Sequence, residues 1–242
     1  MRITVLGGCG AWPVPGQACS GFLVEKDGFR LVVDLGYATM PRLPDVDVDA
    51  VIVTHGHPDH CADLNPLLRA RVLRERPAPQ LPVFAPHEAL DAVLALDRPG
   101  ILDNGLMLCE FTPGDRFEAG PFRVETALLP HWVPNAGLRL TANGQVLAYT
   151  GDSGPSPDVA RLARDADVFL AEASHLDDVP DEARGFLSSA TIAGAEATQA
   201  AAGHLVLTHL LATTSPAAAV DAARSRFRGE VTAARSGLVL RL

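Results

Sequence analysis

The sequence predicts a mixed α/β (α+β) fold in which helices cover the outer faces of β-sheets. Short apolar strands come first, in the order of a meander, and strands then alternate with helical segments in both halves of the chain. The chain has 242 residues, which is enough to bury a full hydrophobic core.

The individual elements follow from the spacing of apolar residues. Strands are predicted where aliphatic residues alternate or form short runs, near residues 2–6, 21–26, 29–34, 49–54, 83–85, 106–111, 121–128, 137–142, 145–150, 168–172, 205–208, 230–232 and 237–241. Helices are predicted where apolar residues recur at helical spacing, near residues 59–74, 87–96, 156–165, 188–202 and 216–227. The proline-rich segment 77–82 is predicted to be a loop.

The charge balance predicts a surface that does not favour nucleic acids. The formal net charge is −9 with neutral histidine. Such a surface repels polyanions in general, although a metal site can still bind a single phosphate. One small group of arginines at helical spacing is interpreted as a solvated helix face rather than a nucleic-acid patch: Arg69, Arg71, Arg74 and Arg76.

We expect a cytoplasmic protein that does not span a membrane. Residues 1–6 alternate as in a strand and do not resemble a secretory signal. No apolar run approaches the length of a membrane span. The four cysteines lack CxxC spacing and are expected to be small buried hydrophobes: Cys9, Cys19, Cys61 and Cys109.

The motif most informative about function is the HGHPDH run at residues 55–60, directly after a β-branched strand. His55 and His57 lie two apart on extended or turning backbone, so both side chains can point to one side. Pro58 suits a helix start and places Asp59 and His60 in the first turn. Imidazole and carboxylate groups are ligands for divalent metals, so this density predicts a metal site rather than a polar loop.

Residues of the same chemical types recur where other strands end. Two strands end in a Thr-His pair, whose histidines are His55 and His209. Two further strands end in a carboxylate, Asp152 or Asp34. The ends of strands form the usual rim for a site on an α/β framework. The recurrence therefore predicts that these distant side chains share one rim.

The HGHPDH motif resembles the HxHxDH signature of the metallo-β-lactamase superfamily. The later elements follow in the order of that family: Pro130-His131, Thr150-Gly151-Asp152 and Leu207-Thr208-His209. Four segments are similar to the ribonuclease Z-like branch, particularly to its short bacterial members, some of which are cyclic-nucleotide phosphodiesterases. These segments are Gly7-Gly8-Cys9-Gly10, Val33-Asp34-Leu35-Gly36, Tyr149-Thr150-Gly151-Asp152-Ser153 and Glu172-Ala173-Ser174.

The resemblance implies an αββα metallo-β-lactamase sandwich, formed as one domain over residues 1–242, with two divalent metal ions at one sheet edge. It assigns His55, His57 and His131 to the first metal. It assigns Asp59, His60 and His209 to the second, with Asp152 bridging both. The donor set favours zinc, with manganese or iron as alternatives. Asp34 resembles the carboxylate that orients ligands in this family, and its alternative interpretation is a turn residue.

The implied activity is hydrolysis of a small, cyclic nucleotide-like phosphodiester by a metal-activated hydroxide, with Asp59 positioning the water as the catalytic residue. We expect a small-molecule substrate and no membrane partner. Binding of tRNA is disfavoured by the acidic surface, and no spare segment exists for the long arm with which ribonuclease Z grips tRNA. A homodimer would be ordinary for this branch.

One position departs from the branch. Its members typically carry a histidine, linked to the reacting phosphate, before a Leu-Ser pair, but here Phe186 takes that place. His175 could substitute from the other side of the loop, or Phe186 could form an apolar wall with the segment 132–134. This leaves two other hypotheses open, a hydrolase of lactones, thioesters or other carboxylic esters and a non-catalytic metal-binding module. The sequence does not assign a role to Glu172.

Overall fold

The computed structural model describes residues 1–76 and 78–242, so Pro77, the first residue of the predicted 77–82 loop, lies outside the described residues. In chain order the strands are β1 (Arg2–Cys9), β2 (Ala18–Cys19), β3 (Gly21–Lys26), β4 (Phe29–Leu35), β5 (Ala50–Ile52), β6 (Leu81–Pro86), β7 (Leu106–Phe111), β8 (Arg116–Ala119), β9 (Phe122–Leu129), β10 (Asn135–Ala142), β11 (Gln145–Tyr149), β12 (Val168–Glu172), β13 (His204–Thr208), β14 (Glu230–Ala233) and β15 (Val239–Arg241). The α-helices are α1 (Pro58–Cys61), α2 (Leu64–Val72), α3 (Asp91–Leu94), α4 (Pro157–Leu162), α5 (Ala190–Ala200) and α6 (Pro216–Arg224), and Met40–Arg42 forms a 3₁₀ turn.

The strands of the described residues form two sheets with similar internal order. The first sheet runs β15-β1-β3-β4-β5-β6-β7, with β2 beside β1, and the second runs β14-β13-β12-β11-β10-β9-β8. In each sheet one half is an antiparallel meander and the other half is parallel: β4 to β7 in the first sheet and β11 to β14 in the second. Parallel neighbours require crossovers. The crossover from β4 to β5 contains the 3₁₀ turn, and α1 to α6 lie in the other crossovers. The predicted order of meander and alternation is confirmed.

Three apolar layers hold the sheets and helices together. Between the two sheets, Phe22 of β3 packs with Phe122 of β9 and Tyr149 of β11. Leucines of α2 cover the outer face of the first sheet, and alanines of α5 and α6 cover the outer face of the second. The layering is therefore helix, sheet, sheet, helix, as expected. Among the described helices, the longest of which is α5 with 11 residues, none is suited by length and apolarity to cross a membrane.

The helix predicted over residues 59–74 is in fact two helices, α1 and α2. The break follows from hydrogen bonding at Asp63. Its N–H donates to the carbonyl oxygen of Leu35 at 2.8 Å, and its carboxylate accepts from the N–H of Met40 at 2.8 Å. The break therefore ties the segment that carries Asp59 and His60 to the end of β4. The short strands β2 and β8 were not predicted, and α3 is shorter than the predicted helix over 87–96.

The interpretation of the arginine group as a solvated face is wrong for Arg71, which is 4% exposed. Its guanidinium donates to the carbonyl oxygens of Val46, Val48 and Pro79 at 2.9, 3.3 and 3.2 Å. Periodicity alone cannot distinguish a charged face from a face that lies under a loop. Arg71 thus fastens two loops to α2.

We expect the substitution Arg71→Ala to lower the free energy of unfolding by about 2–4 kcal/mol, because three carbonyl oxygens lose the charged donor that the buried guanidinium provides. The matched control is Arg69→Ala on the same helix, where the half-exposed guanidinium pairs with Asp97. Such a pair contributes at most about 1 kcal/mol. Urea denaturation measures both variants, and equal losses would contradict the structural role of Arg71.

Candidate metal centre

The seven side chains that the sequence predicts as ligands converge at one place. Their ligand-type atoms form two groups, and within each group these atoms lie within 4.8 Å of one another. The first group is His55, His57, His131 and Asp152, and the second is Asp59, His60, Asp152 and His209. Asp152 belongs to both groups, so the two candidate positions are adjacent.

These residues follow the ends of strands from both sheets. His55 comes shortly after β5. His57 follows as the N-cap residue of α1, and α1 contains Asp59 and His60. The other three residues, His131, Asp152 and His209, come just after β9, β11 and β13, respectively. The shared rim predicted from the strand ends is therefore present, and it brings together residues 150 positions apart, such as Asp59 and His209.

Close packing of the backbone supports the cluster. A Cβ atom at Gly10 would lie 2.6 Å from Nδ1 of His209, and one at Gly36 would lie 1.8 Å from the carbonyl oxygen of Asp59. His209 and Asp34 themselves have φ values of 57°, in the left-handed region that non-glycine residues rarely adopt. Strain of this kind is concentrated at functional sites, where the surrounding structure maintains it.

The hydrogen bond made by His131 fixes which of its ring nitrogens is free. Nδ1 donates to the main-chain carbonyl oxygen of Phe186 at 2.9 Å, so Nε2 carries the lone pair. This Nε2 lies 3.0 Å from Nδ1 of His57. The carbonyl group of Phe186 therefore orients a candidate ligand, a role that the identity of its side chain does not reveal.

The same reasoning applies to His55. The hydroxyl group of Thr54 donates to the carboxylate of Asp34 and thus accepts from Nδ1 of His55 at 3.0 Å. Nε2 of His55 keeps its lone pair and lies 3.1 Å from Nδ1 of His57. Burial lowers the pKa of His55, His57 and His131, which favours the neutral imidazoles that metals require.

In the second group, Asp34 determines the orientation of His60. Its Oδ2 accepts from Nδ1 of His60 at 2.8 Å and from the hydroxyl group of Tyr149 at 3.0 Å. Nε2 of His60 then faces Oδ1 of Asp152 at 3.1 Å, outside hydrogen-bond geometry. Both atoms are buried, and neither has a hydrogen-bond partner among the described residues. Asp34 thus acts on the cluster through His60, as the resemblance implies.

His209 lies between two carboxylates. Its Nε2 is 3.1 Å from Oδ2 of Asp59 and 3.0 Å from Oδ2 of Asp152, and its Nδ1 is 2.9 Å from the hydroxyl oxygen of Ser174. The N–H of Ala11 donates to the same oxygen of Asp59 at 2.8 Å. Two acidic oxygens and one ring nitrogen therefore point toward a common centre.

The pKa values show that the second group attracts positive charge. Burial opposes protonation of His209, but Asp152 and Asp59 outweigh it and raise the pKa of His209 to about 10. Asp152 and Asp34 likewise raise the pKa of His60 well above its usual value, against the effect of burial. Burial raises the pKa of Asp59, but His209 and His60 outweigh it and lower it below its usual value. Divalent cations would supply this positive charge, so the donor set fits two such ions.

Glu172, to which the sequence analysis assigned no role, connects two segments beside the cluster. It is buried, and its two carboxylate oxygens accept from the N–H groups of Ser174, at 2.9 Å, and Ser188. Burial raises its pKa to about 7. Glu172 thereby joins the segment under His209 to the segment that carries Phe186. The signal in the sequence was its place at the end of a buried strand.

The remaining histidines and the cysteines lie outside both groups in the described part of the chain. The main chain of His175 pairs with that of Ser189, and burial lowers the pKa of its ring while Glu182 opposes that effect. His175 is therefore not a member of either ligand group, and the hypothesis that it replaces the missing histidine stays a prediction. Cys61 is buried, and its Sγ lies 3.7 Å from the carbonyl oxygen of Gly56. All four cysteines are free, and three of them are buried as expected, whereas Cys109 is only partly buried.

Comparison with known proteins agrees with this geometry. A family model described as a beta-lactamase superfamily domain matches residues 18–210. "Probable metallo-hydrolase YhfI" of Bacillus subtilis is 30% identical over 99% of both chains, and its crystal structure, described as a metallo-beta-lactamase fold protein, gives a TM-score of 0.89 over 99% of both chains.

Two further proteins extend the comparison. A ribonuclease Z of Methanopyrus kandleri is 29% identical and covers 98% of this chain and 96% of its own length. A diphosphatase from the PhnP family shares the fold with a TM-score of 0.80 at 18% identity, over 100% of this chain and 97% of the other. The similarity to the ribonuclease Z-like branch is thus confirmed. The chain belongs to the metallo-hydrolases of the β-lactamase superfamily.

Proposed function

We propose that this metallo-hydrolase uses two divalent metal ions to cleave small phosphodiesters of the cyclic-nucleotide type. The observation that carries the proposal is that the two groups of ligand atoms share Asp152. Adjacent metal sites of this kind suit displacement at phosphorus, because both the attacking and the leaving oxygen need stabilisation. Zinc is the metal we expect, with manganese or iron as alternatives.

The proposed roles of the side chains follow from their contacts. His55, His57 and His131 would hold one ion, Asp59, His60 and His209 the other, and Asp152 both. Bound ions supply Lewis acidity, which polarises the substrate and lowers the pKa of water. Asp59 is held by Ala11 and His209 through Oδ2. This arrangement supports a role for Asp59 as the residue that positions the attacking water.

The charge of the chain supports a small substrate. A net charge of −9 opposes the approach of a long polyanion such as tRNA, whereas one phosphate can be bound at a local cationic centre. The similar proteins include one named as a ribonuclease and one named as a diphosphatase, which supports a reaction at phosphorus.

A second candidate is a hydrolase of lactones, thioesters or other carboxylic esters. It is favoured by the ring of Phe186, which stacks on Trp132 with centroids 5.4 Å apart beside His131. Together these rings form an apolar wall where the branch usually has a histidine. The same metal pair could then polarise a carbonyl group.

The first prediction from the proposed function compares three substrates: bis(4-nitrophenyl) phosphate, 3′,5′-cyclic AMP and a γ-lactone. With metal-loaded enzyme, we expect the two phosphodiesters to be hydrolysed. His57→Ala and Asp59→Ala should each reduce kcat by about 100-fold or more, because a lost metal contact costs several kcal/mol of stabilisation in the transition state. The matched control is His87→Ala, whose exposed ring lies beside Glu110 and belongs to neither group of candidate ligands. Turnover of the lactone alone would support the second candidate instead.

The second prediction concerns metal content. Elemental analysis of the loaded protein should find two divalent ions per chain, because the ligand atoms form two groups. His131→Ala should weaken one site and His209→Ala the other. His204→Ala, in which the lost ring contacts Thr232 on β14, should keep both ions. A single ion in the unaltered protein would contradict the two-metal proposal.

The third prediction concerns protons released on metal binding. Without metal, the raised pKa values of His60 and His209 keep both rings protonated at pH 7. Metal binding requires their free nitrogens, so loading should release about two protons and the apparent affinity should rise with pH. Titration calorimetry in buffers of different ionisation enthalpy measures this release. Binding enthalpies that do not depend on the buffer would contradict the release of protons from these rings.

A further inference from the structure

Exposed aromatic side chains are concentrated around the metal cluster. The chain has two Trp, two Tyr and nine Phe. Among the described residues, the aromatic side chains that are exposed belong to Trp12, Tyr37, Trp132 and Phe186, and we call these four the aromatic rim. Both tryptophans are at least half exposed, at 53% and 50%. Large aromatic rings exposed at a binding site commonly contact a ligand.

Trp12 and Tyr37 lie next to backbone that touches Asp59. Trp12 follows Ala11, whose N–H donates to the carboxylate of Asp59 at 2.8 Å. Tyr37 follows Gly36, which packs directly against the main chain of Asp59. This half of the rim therefore borders the second group of candidate ligands.

Trp132 and Phe186 border the first group. Trp132 follows His131, and the centroids of their rings are 5.1 Å apart. The phenyl ring of Phe186 stacks on the indole of Trp132 at an interplanar angle of 25°, and its carbonyl oxygen accepts from His131. The indole is thereby braced in a fixed orientation beside a candidate metal ligand.

A pocket of about 490 Å³ extends from Trp132. Its apolar walls include Leu129, Pro130 and Val133, and Ser156 and Asp158 at the start of α4 form its polar part. His131 also lines it, whereas Phe186, whose ring stacks on the indole, does not. The volume falls within the range of about 300–1,000 Å³ that is typical of small-molecule sites.

We propose that this pocket binds the nucleobase of a nucleoside phosphodiester, stacked on Trp132, while the phosphate lies at the cluster of seven candidate ligands. This inference rests on the proposed function and names the substrate class. The flat indole and the apolar walls suit a planar ring. The carboxylate of Asp158 pairs with Arg161 through Oδ1 at 2.7 Å, and its Oδ2 would accept from an exocyclic amino group of the base.

The polar part of the pocket favours a base over an acyl chain. An acyl group, the ligand expected of a carboxylic ester hydrolase, would contact the apolar walls but would offer no donor to Asp158. A base that carries an amino group uses both parts of the pocket. Adenine is therefore preferred over hypoxanthine, which has an oxo group at the same position.

Binding to the metal-loaded enzyme tests this proposal without relying on turnover. The probes are AMP, IMP and ribose 5-phosphate, which carry the same phosphate on different groups, and the readouts are calorimetry and quenching of tryptophan fluorescence. We expect AMP to bind about tenfold or more tightly than ribose 5-phosphate, the size of effect that one stacked base gives. AMP should also bind more tightly than IMP.

The variants distinguish aromatic stacking on residue 132 from hydrophobic contact alone. Trp132→Leu should remove the advantage of AMP over ribose 5-phosphate and leave ribose 5-phosphate affinity and metal content unchanged, whereas Trp132→Phe should keep most of the advantage. Asp158→Asn should reduce the preference for AMP over IMP. The matched control is Leu108→Ala, an exposed residue on the edge strand β7, which should change none of these affinities.

The outcomes distinguish this proposal from the proposed function. Equal affinity for AMP and ribose 5-phosphate, in the unaltered enzyme and in Trp132→Leu, would overturn the base pocket even if cyclic AMP is hydrolysed. Base-dependent binding that Trp132→Leu abolishes would support the pocket. If that binding is found and no phosphodiester is cleaved, the pocket stands and the proposed function fails.

Discussion

The rest of the site depends on one electrostatic constraint, the need of Asp152 and its neighbours for positive charge. Asp152 is buried, and its oxygens face ring nitrogens of His60 and His209 at 3.1 and 3.0 Å. Asp34 and Asp59 contribute two more buried carboxylates. No lysine or arginine contacts these carboxylates among the described ion pairs, so protons on histidine or bound cations must balance them. Such a concentration of buried negative charge is costly unless it is compensated.

The fold keeps the ligand-type side chains in position by placing them at the ends of rigid strands. The sheets contact each other through a continuous apolar core, and Tyr149 belongs to that core while its hydroxyl group reaches Asp34. Asp34 in turn contacts Thr54 and His60. The hydrogen bonds that orient the imidazoles thus begin in the core. A cluster held in this way stays close to its binding geometry, which limits the reorganisation needed when metals bind.

Much of the fold and the site could be predicted from the sequence, because the relevant signals are local. Strand periodicity located most of the sheet. The HGHPDH motif and the residues after strand ends indicated six of the seven clustered residues, and the resemblance to the metallo-β-lactamase superfamily added His131. The parts that could not be predicted depend on tertiary contacts. The helix break at Asp63 follows from a bond to Leu35, and Arg71 is buried because loops cover it. Phe186 differs from the family pattern in its side chain, yet its carbonyl group, which any residue provides, orients His131.

The aromatic rim is the exposed part of the site and borders the buried cluster. Divalent cations bound at its centre would attract a phosphate, and the flat apolar surface at its edge suits a planar ring. The central claim remains that two cations share Asp152. Anomalous X-ray diffraction from metal-loaded crystals tests it most directly. We predict two anomalous peaks, both next to Asp152, one bordered by His131 and the other by His209. A single peak, or peaks away from Asp152, would contradict the account.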